Sequence, residues 1–246
     1  MRLSFFSRTQ ALHKLKDLYI NKNCTPRATC IEFDTAQKTL LLSLFRELPS
    51  QYNTRPDIVY LILLGLGSYW DYPFTVGTDC IVLTPRLLTK PSHNIKCTLI
   101  HELVHLDQRR SPEKYDIYYR TLGFRKAYIN LGILKPYVLK NPDAIHYEWV
   151  FSINTINYIP VALLLNCKIY EVLLEMRGND VIKIHRIKDV PRYHQHFGTV
   201  RQLYHPNEIV AHLISDHIME GKSYTPIDYV QLGSLYKDQS VLCNTV

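Results

Sequence analysis

The chain has 246 residues, 46% of them apolar and 21% charged, which fits a folded globular protein and excludes a disordered one. No apolar run reaches the roughly 18 residues that a membrane-spanning helix needs. The formal charge is +7, an excess that suits anionic partners or acidic substrates but names none.

The elements read in order as follows. Thr9 to Ile20 has helical spacing, with Leu12, Leu15, Leu18 and Tyr19 as its apolar stripe. Thr35 to Leu48 is a second helix, closed by Pro49. Ile58 to Leu64 is a continuous apolar run of strand length, followed by Gly65 and Gly67. Cys80 to Leu83 is a short strand, ended by Thr84 and Pro85. The segment from Pro91 to Asn94 carries helix-start residues, and Ile95 to Gln108 continues with helical periodicity. Ser111, Pro112 and Glu113 open another helix, reaching about Leu122. A β-rich stretch follows, with strands at Tyr158–Leu165, Lys168–Met176 and Val181–Ile187 and a turn at Gly178-Asn179-Asp180. Pro206 to Met219 is the last helix, ended by Gly221, with Ile209, Val210, Leu213, Ile214 and Ile218 facing the core. The expected fold class is α+β, one domain over 1–246, with a helical part at 1–55 and a β-rich insertion at 147–190.

Six cysteines show no C-x-x-C pair and no disulfide or zinc-finger spacing. The N-terminus lacks the apolar core of a signal peptide. Both features predict reduced thiols in a cytoplasmic or other reducing compartment.

One segment carries chemistry. In Thr98-Leu-Ile-His101-Glu102-Leu-Val-His105, two His lie four residues apart, on one face of a helix. Imidazole nitrogens suit zinc, and Glu102 sits where it can accept a proton without ligating. This chain's own composition gives the H-E-x-x-H pattern by chance only ~0.02 times. A catalytic zinc takes a third protein ligand and keeps one open position. No His follows His105 at the H-x-x-G-x-x-H spacing, so the third ligand comes from elsewhere. Glu208, in the first turn of the last helix, is the first choice, with His212 and Asp216 as supporting residues. The alternative is Asp143, His146 or Glu148 in Asn141-Pro-Asp-Ala-Ile-His-Tyr-Glu; Asn141 and Pro142 themselves read as a turn. Tyr204, His194 and His196 precede the last helix and are candidate donors to a transition-state oxyanion.

With His101, Glu102, His105 and Glu208 together, the chain resembles the zincin metallopeptidases, and more narrowly the gluzincins. There one helix supplies two His and the catalytic Glu, and a second helix supplies a Glu ligand. Here Asp216 lies farther from Glu208 than the thermolysin pattern has it. The resemblance implies a Zn2+ cofactor, a polypeptide substrate and a strand along the cleft edge before the signature helix. Gly77 to Leu83 stands in that place; it equally fits an ordinary internal strand.

Two other functions compete. Lys183, Arg186, Lys188, Arg192 and Arg201, interleaved with Tyr193, Phe197, His185, His194 and His196, suit nucleic acid, where cations meet phosphates and aromatics stack on bases. A non-catalytic zinc-binding interaction domain is the other; it would not require Glu102. Cys24 or Cys30 offers a thiol that would block the open metal position in a latent form.

Overall fold

The computed structural model describes residues 2–15, 29–49, 58–65, 72–139, 141–144, 148–166, 168–198 and 200–220. The fold is mixed α+β, with two separate sheets. Two compact units divide it, Met1–Arg110 and Ser111–Val246.

The first unit is built on β1 (Arg2–Phe5), β2 (Cys30–Ile31), β3 (Ile58–Leu64), β4 (Phe74–Val76) and β5 (Cys80–Leu83). Sheet order is β1-β3-β5-β4, with β2 pairing antiparallel to the end of β3. β1 and β5 both run parallel to β3. This explains the unbroken apolar run of β3, since strands of a parallel sheet are covered on both faces. Val59 and Leu61 through Leu64 are all buried. On one face Ile62, Leu64, Cys80 and Val82 pack with Ala11, Cys30 and Phe74.

The helices are α1 (Arg8–Leu15), α2 (Thr35–Arg46), the single turn α3 (Pro85–Leu88) and α4 (Ser92–Arg110). A reciprocal cap starts α2: Asp34 Oδ1 accepts from the Gln37 amide at 2.7 Å, and Gln37 Oε1 from the Asp34 amide at 3.1 Å. Such a pair satisfies two helix-end donors at once. The far end of the expected first helix, from residue 16, lies outside the described residues, as do Gly67, Cys24 and Gly221.

The expected cleft-edge strand is corrected here. β5 is interior, with β3 on one side and β4 on the other. The cause is a tight reversal at Gly77-Thr78-Asp79, joining Val76 to its partner Cys80. Gly77 adopts φ +62°, which costs glycine little and other residues much. That hairpin makes β4 the strand at this end of the sheet among the described residues. The N-terminal part, read as helical, also carries β1 and β2, both too short to show periodicity.

The second unit has α5 (Pro112–Thr121), β6 (Phe124–Lys126), β7 (Trp149–Ile153), β8 (Ile156–Leu165), β9 (Lys168–Arg177), β10 (Asp180–Arg186), α6 (Pro191–Phe197) and α7 (Pro206–Met219). Its sheet is an antiparallel meander, β10-β9-β8-β7-β6. The expected turn after β9 is present, with Gly178 at φ +60° and Arg177 opposite Asp180. Among the described residues the β-rich stretch supplies four of the five strands of this sheet, β7 to β10. Val150, Ile159, Val161, Leu163, Val172, Leu174 and Met176 form one core with Val138. Alternate residues in a strand point to opposite faces. Phe151 accordingly belongs to a separate aromatic group, with ring centroids 5.2 Å from Tyr193 and 5.4 Å from Phe197.

Candidate metal centre

In the first unit, α4 carries His101, Glu102 and His105. The helix is 19 residues long, with Ile95, Leu99, Ile100, Leu103, Val104 and Leu106 buried along it. Its last turn ends in Arg109 and Arg110, cations that suit the negative end of a helix. Arg109 also donates to the carbonyls of Gly77 at 3.1 Å and Thr75 at 3.2 Å, tying the helix end to the β4–β5 hairpin. The chemistry therefore sits on a rigid element.

His101, Glu102 and His105 are all buried. The two imidazoles are nearly perpendicular, at 83°, and their Nε2 atoms lie 3.0 Å apart. Two nitrogens bound tetrahedrally to zinc at 2.0–2.1 Å would be about 3.3 Å apart. The spacing thus fits a shared ion with a small adjustment. Gln108 Oε1 lies 2.7 Å from His105 Nδ1. A carbonyl oxygen there accepts the Nδ1 proton and leaves the Nε2 lone pair for a metal, the usual orienting contact behind a ligating histidine. Gln108 follows His105 by three residues on the same helix face, so the motif itself could have signalled it.

In the second unit, α7 carries Glu208. Pro206 opens the helix, and the His205 ring caps it by accepting the Asn207 amide on Nδ1 at 3.1 Å. Glu208 is buried, with Ile209, Val210, Ala211, Ile214 and Ile218 packed in the core. Its Oε1 accepts from Asn141 Nδ2 at 2.6 Å and from the Tyr204 hydroxyl at 3.2 Å. Asn141 Nδ2 also lies 2.6 Å from the Tyr204 oxygen, so three buried polar groups close on one another. Asn141 is a turn residue too, as the sequence suggests: its Oδ1 accepts the Asp143 amide at 2.9 Å. The Asn207 side chain holds the same turn through the Asp143 carbonyl at 2.8 Å.

The other expected residues fall out differently. Tyr204 is buried and donates to Glu208 Oε1. His194 is exposed on α6. His196 Nε2 lies 3.1 Å from the Leu122 carbonyl, and its ring packs against Phe151 and Phe197. His212 is half-buried and Asp216 exposed on α7. Asp143 is buried beside Asn141. Glu148 is ion-paired with Lys126 at 3.2 Å and half-exposed. His146 lies outside the described residues.

Tyr193 and Phe197 are buried among Phe124 and Phe151, and His185 is paired with Glu175 at 2.7 Å. Exposed on this segment are Lys183, Arg186, Lys188, Arg192, His194 and Arg201.

Two of the described thiols are buried. Cys30 and Cys80 are free. Burial pushes the Cys80 thiol up to about 12 and raises that of Cys30. Cys30 is packed beside Ile62 and Leu64, as a small apolar residue would be.

Burial also lifts groups around Glu208. The Tyr204 hydroxyl is raised well above its ordinary range, by burial first and by the Glu208 charge second. Glu171 is raised to about 7 by burial and by Glu208, against the lowering effect of the Leu203 amide that it accepts at 3.4 Å. A carboxyl raised in the folded state stabilises fully below its unfolded value, near 4.5, and loses that contribution as pH rises through about 7. Glu171→Gln keeps the acceptor for Leu203 and never ionises. Urea unfolding of the metal-free variant should match the wild type at pH 4. At pH 8 the variant should be more stable, by at most ~3 kcal/mol. A gap that does not grow with pH would show that Glu171 ionises freely in the fold.

No protein-family model matches the chain, and no curated protein or solved structure is found to be similar to it.

Proposed function

We propose that the chain is a zinc-dependent, zincin-like peptidase, in which His101, His105 and Glu208 hold the metal and Glu102 is the general base. The observation that carries this reading is the pair of imidazoles on α4, with Nε2 atoms 3.0 Å apart and His105 oriented by Gln108. Beside it stands the chemistry of the set: two neutral nitrogens and one carboxylate, all buried and each offering one ligand atom. That composition is a known catalytic zinc set, and it leaves a coordination position open.

When bound, zinc lowers the pKa of a water molecule toward ~7 and polarises a carbonyl group. The residues of this chain supply the rest. Glu102, adjacent to His101 on a rigid helix, takes the proton of the attacking water and passes it to the leaving amine. Glu208 brings the negative charge that two neutral imidazoles lack. Asn141 and Tyr204 orient that carboxylate by donating to one of its oxygens. A purely structural zinc site has no use for a buried glutamate next to its ligands; Glu102 therefore favours hydrolysis over a silent binding domain.

The test uses the full chain, purified without added metal. Zinc should bind one per chain. A peptide library should be cleaved, cleavage should stop with a chelator, and added zinc should restore it. Failure to bind zinc would overturn the whole reading. Stoichiometric zinc without cleavage of any peptide would favour the interaction domain.

A further inference from the structure

From the three short contacts around Glu208 we infer that Asn141 is a positioning residue for the metal site: it fixes the Glu208 carboxylate through one oxygen so that the other is presented to the metal. This rests on the reading of Glu208 as a ligand. Nothing in the sequence motif points to it, because Asn141 stands 67 residues before Glu208.

The geometry is specific. One Asn141 Nδ2 group lies 2.6 Å from both Glu208 Oε1 and the Tyr204 oxygen. An amide NH2 has two hydrogens, so it serves both acceptors at once. The Tyr204 hydroxyl accepts one of them and spends its own hydrogen on Glu208 Oε1 at 3.2 Å. Oε1 thus receives two donors, and neither donor ionises near neutrality. The position of Asn141 is itself fixed: its Oδ1 accepts the Asp143 amide, and Asn207 of α7 bonds the Asp143 carbonyl at 2.8 Å. The turn and the ligand helix are therefore laced together on both sides of the carboxylate. All of Asn141, Tyr204 and Glu208 are buried, where an amide-to-carboxylate bond is strong and an unsatisfied partner is costly. Contacts of this kind behind a metal ligand commonly change affinity by 10–100-fold when removed.

Two variants separate positioning from mere turn formation. Asn141→Ser keeps a side-chain oxygen for the Asp143 amide but is too short to reach Glu208. Its zinc Kd, measured by competition with a chromophoric chelator, should rise by about 10–100-fold. Asn141→Asp keeps shape and turn but sets a second carboxylate against Glu208. The ratio of its zinc Kd to that of the wild type should be large at pH 8 and shrink as pH falls toward 5, where the new acid protonates and can donate. In a Glu208→Ala background, Asn141→Ser should have no further effect on zinc. The inference is overturned if Glu208→Ala weakens zinc while Asn141→Ser stays within twofold, or if the Kd ratio for Asn141→Asp is flat with pH. If instead Glu208→Ala binds zinc as the wild type does, the ligand assignment falls and takes this inference with it. Should Asn141→Ser not fold, the isosteric Asn141→Asp decides alone.

Discussion

Glu102→Gln is expected to hold zinc as tightly as the wild type and to lose 10²–10⁴-fold in peptide hydrolysis, the usual worth of a general base. Glutamine has nearly the same volume and helix propensity, so α4 should form unchanged. Residue 102 is buried, and replacing an ionisable group by a neutral amide there does not add a desolvation cost. His105 keeps its partner Gln108, and the imidazoles of His101 and His105 keep their 3.0 Å spacing. What disappears is the basic oxygen. The measurement pairs a zinc titration with kcat/KM on a cleaved peptide. Full hydrolysis by the variant would remove Glu102 from the base role. Loss of zinc together with activity would make it a ligand instead.

The sequence was most informative where one local pattern decided the structure. The i, i+4 pair of His101 and His105 falls on one helix face because α-helical geometry leaves no other outcome, and the structure adds only the distance. Ile58–Leu64 is a strand with the expected bounds, since seven consecutive apolar residues have no place on a solvent-facing helix. Pro206–Met219 likewise keeps its expected bounds, because Pro206 suits a first helical turn. Harder cases depended on what lay far away in the chain. The place of Cys80–Leu83 inside its sheet is set by β4, three residues long, whose pairing hangs on Gly77. Tyr193 and Phe197 read as stacking aromatics because they stand among arginines and histidines. In the fold, a seven-residue helix turns them inward onto Phe124 and Phe151 while the cations stay outside. Asn141 shows both sides: its turn is local and was legible, and its bond to Glu208 spans 67 residues and was not.

The two buried carboxylates among the candidate third ligands are Glu208 and Asp143, while His146 lies outside the described residues. Glu208→Ala should weaken zinc by on the order of 100-fold or more, a fair share of the 10–16 kcal/mol that four ligands together provide in structural zinc sites. That variant also strips the acceptor from Asn141 and Tyr204, at about 1–3 kcal/mol of fold stability, so zinc loss alone could be misread as unfolding. Glu208→Gln resolves the ambiguity. Its amide oxygen still accepts from Asn141 and Tyr204, and its volume is unchanged, but it brings no negative charge to the metal. Stability of the metal-free protein should then be close to wild type while zinc affinity falls. Asp143→Ala is the matching control. The bonds that hold its turn use its backbone, the amide to Asn141 and the carbonyl from Asn207, so the substitution leaves them in place. With Glu208 as the ligand, Asp143→Ala binds zinc within a few-fold of wild type. The reverse pattern, with zinc lost in Asp143→Ala and kept in Glu208→Gln, would move the third ligand to the turn and leave Glu208 as the residue that braces it.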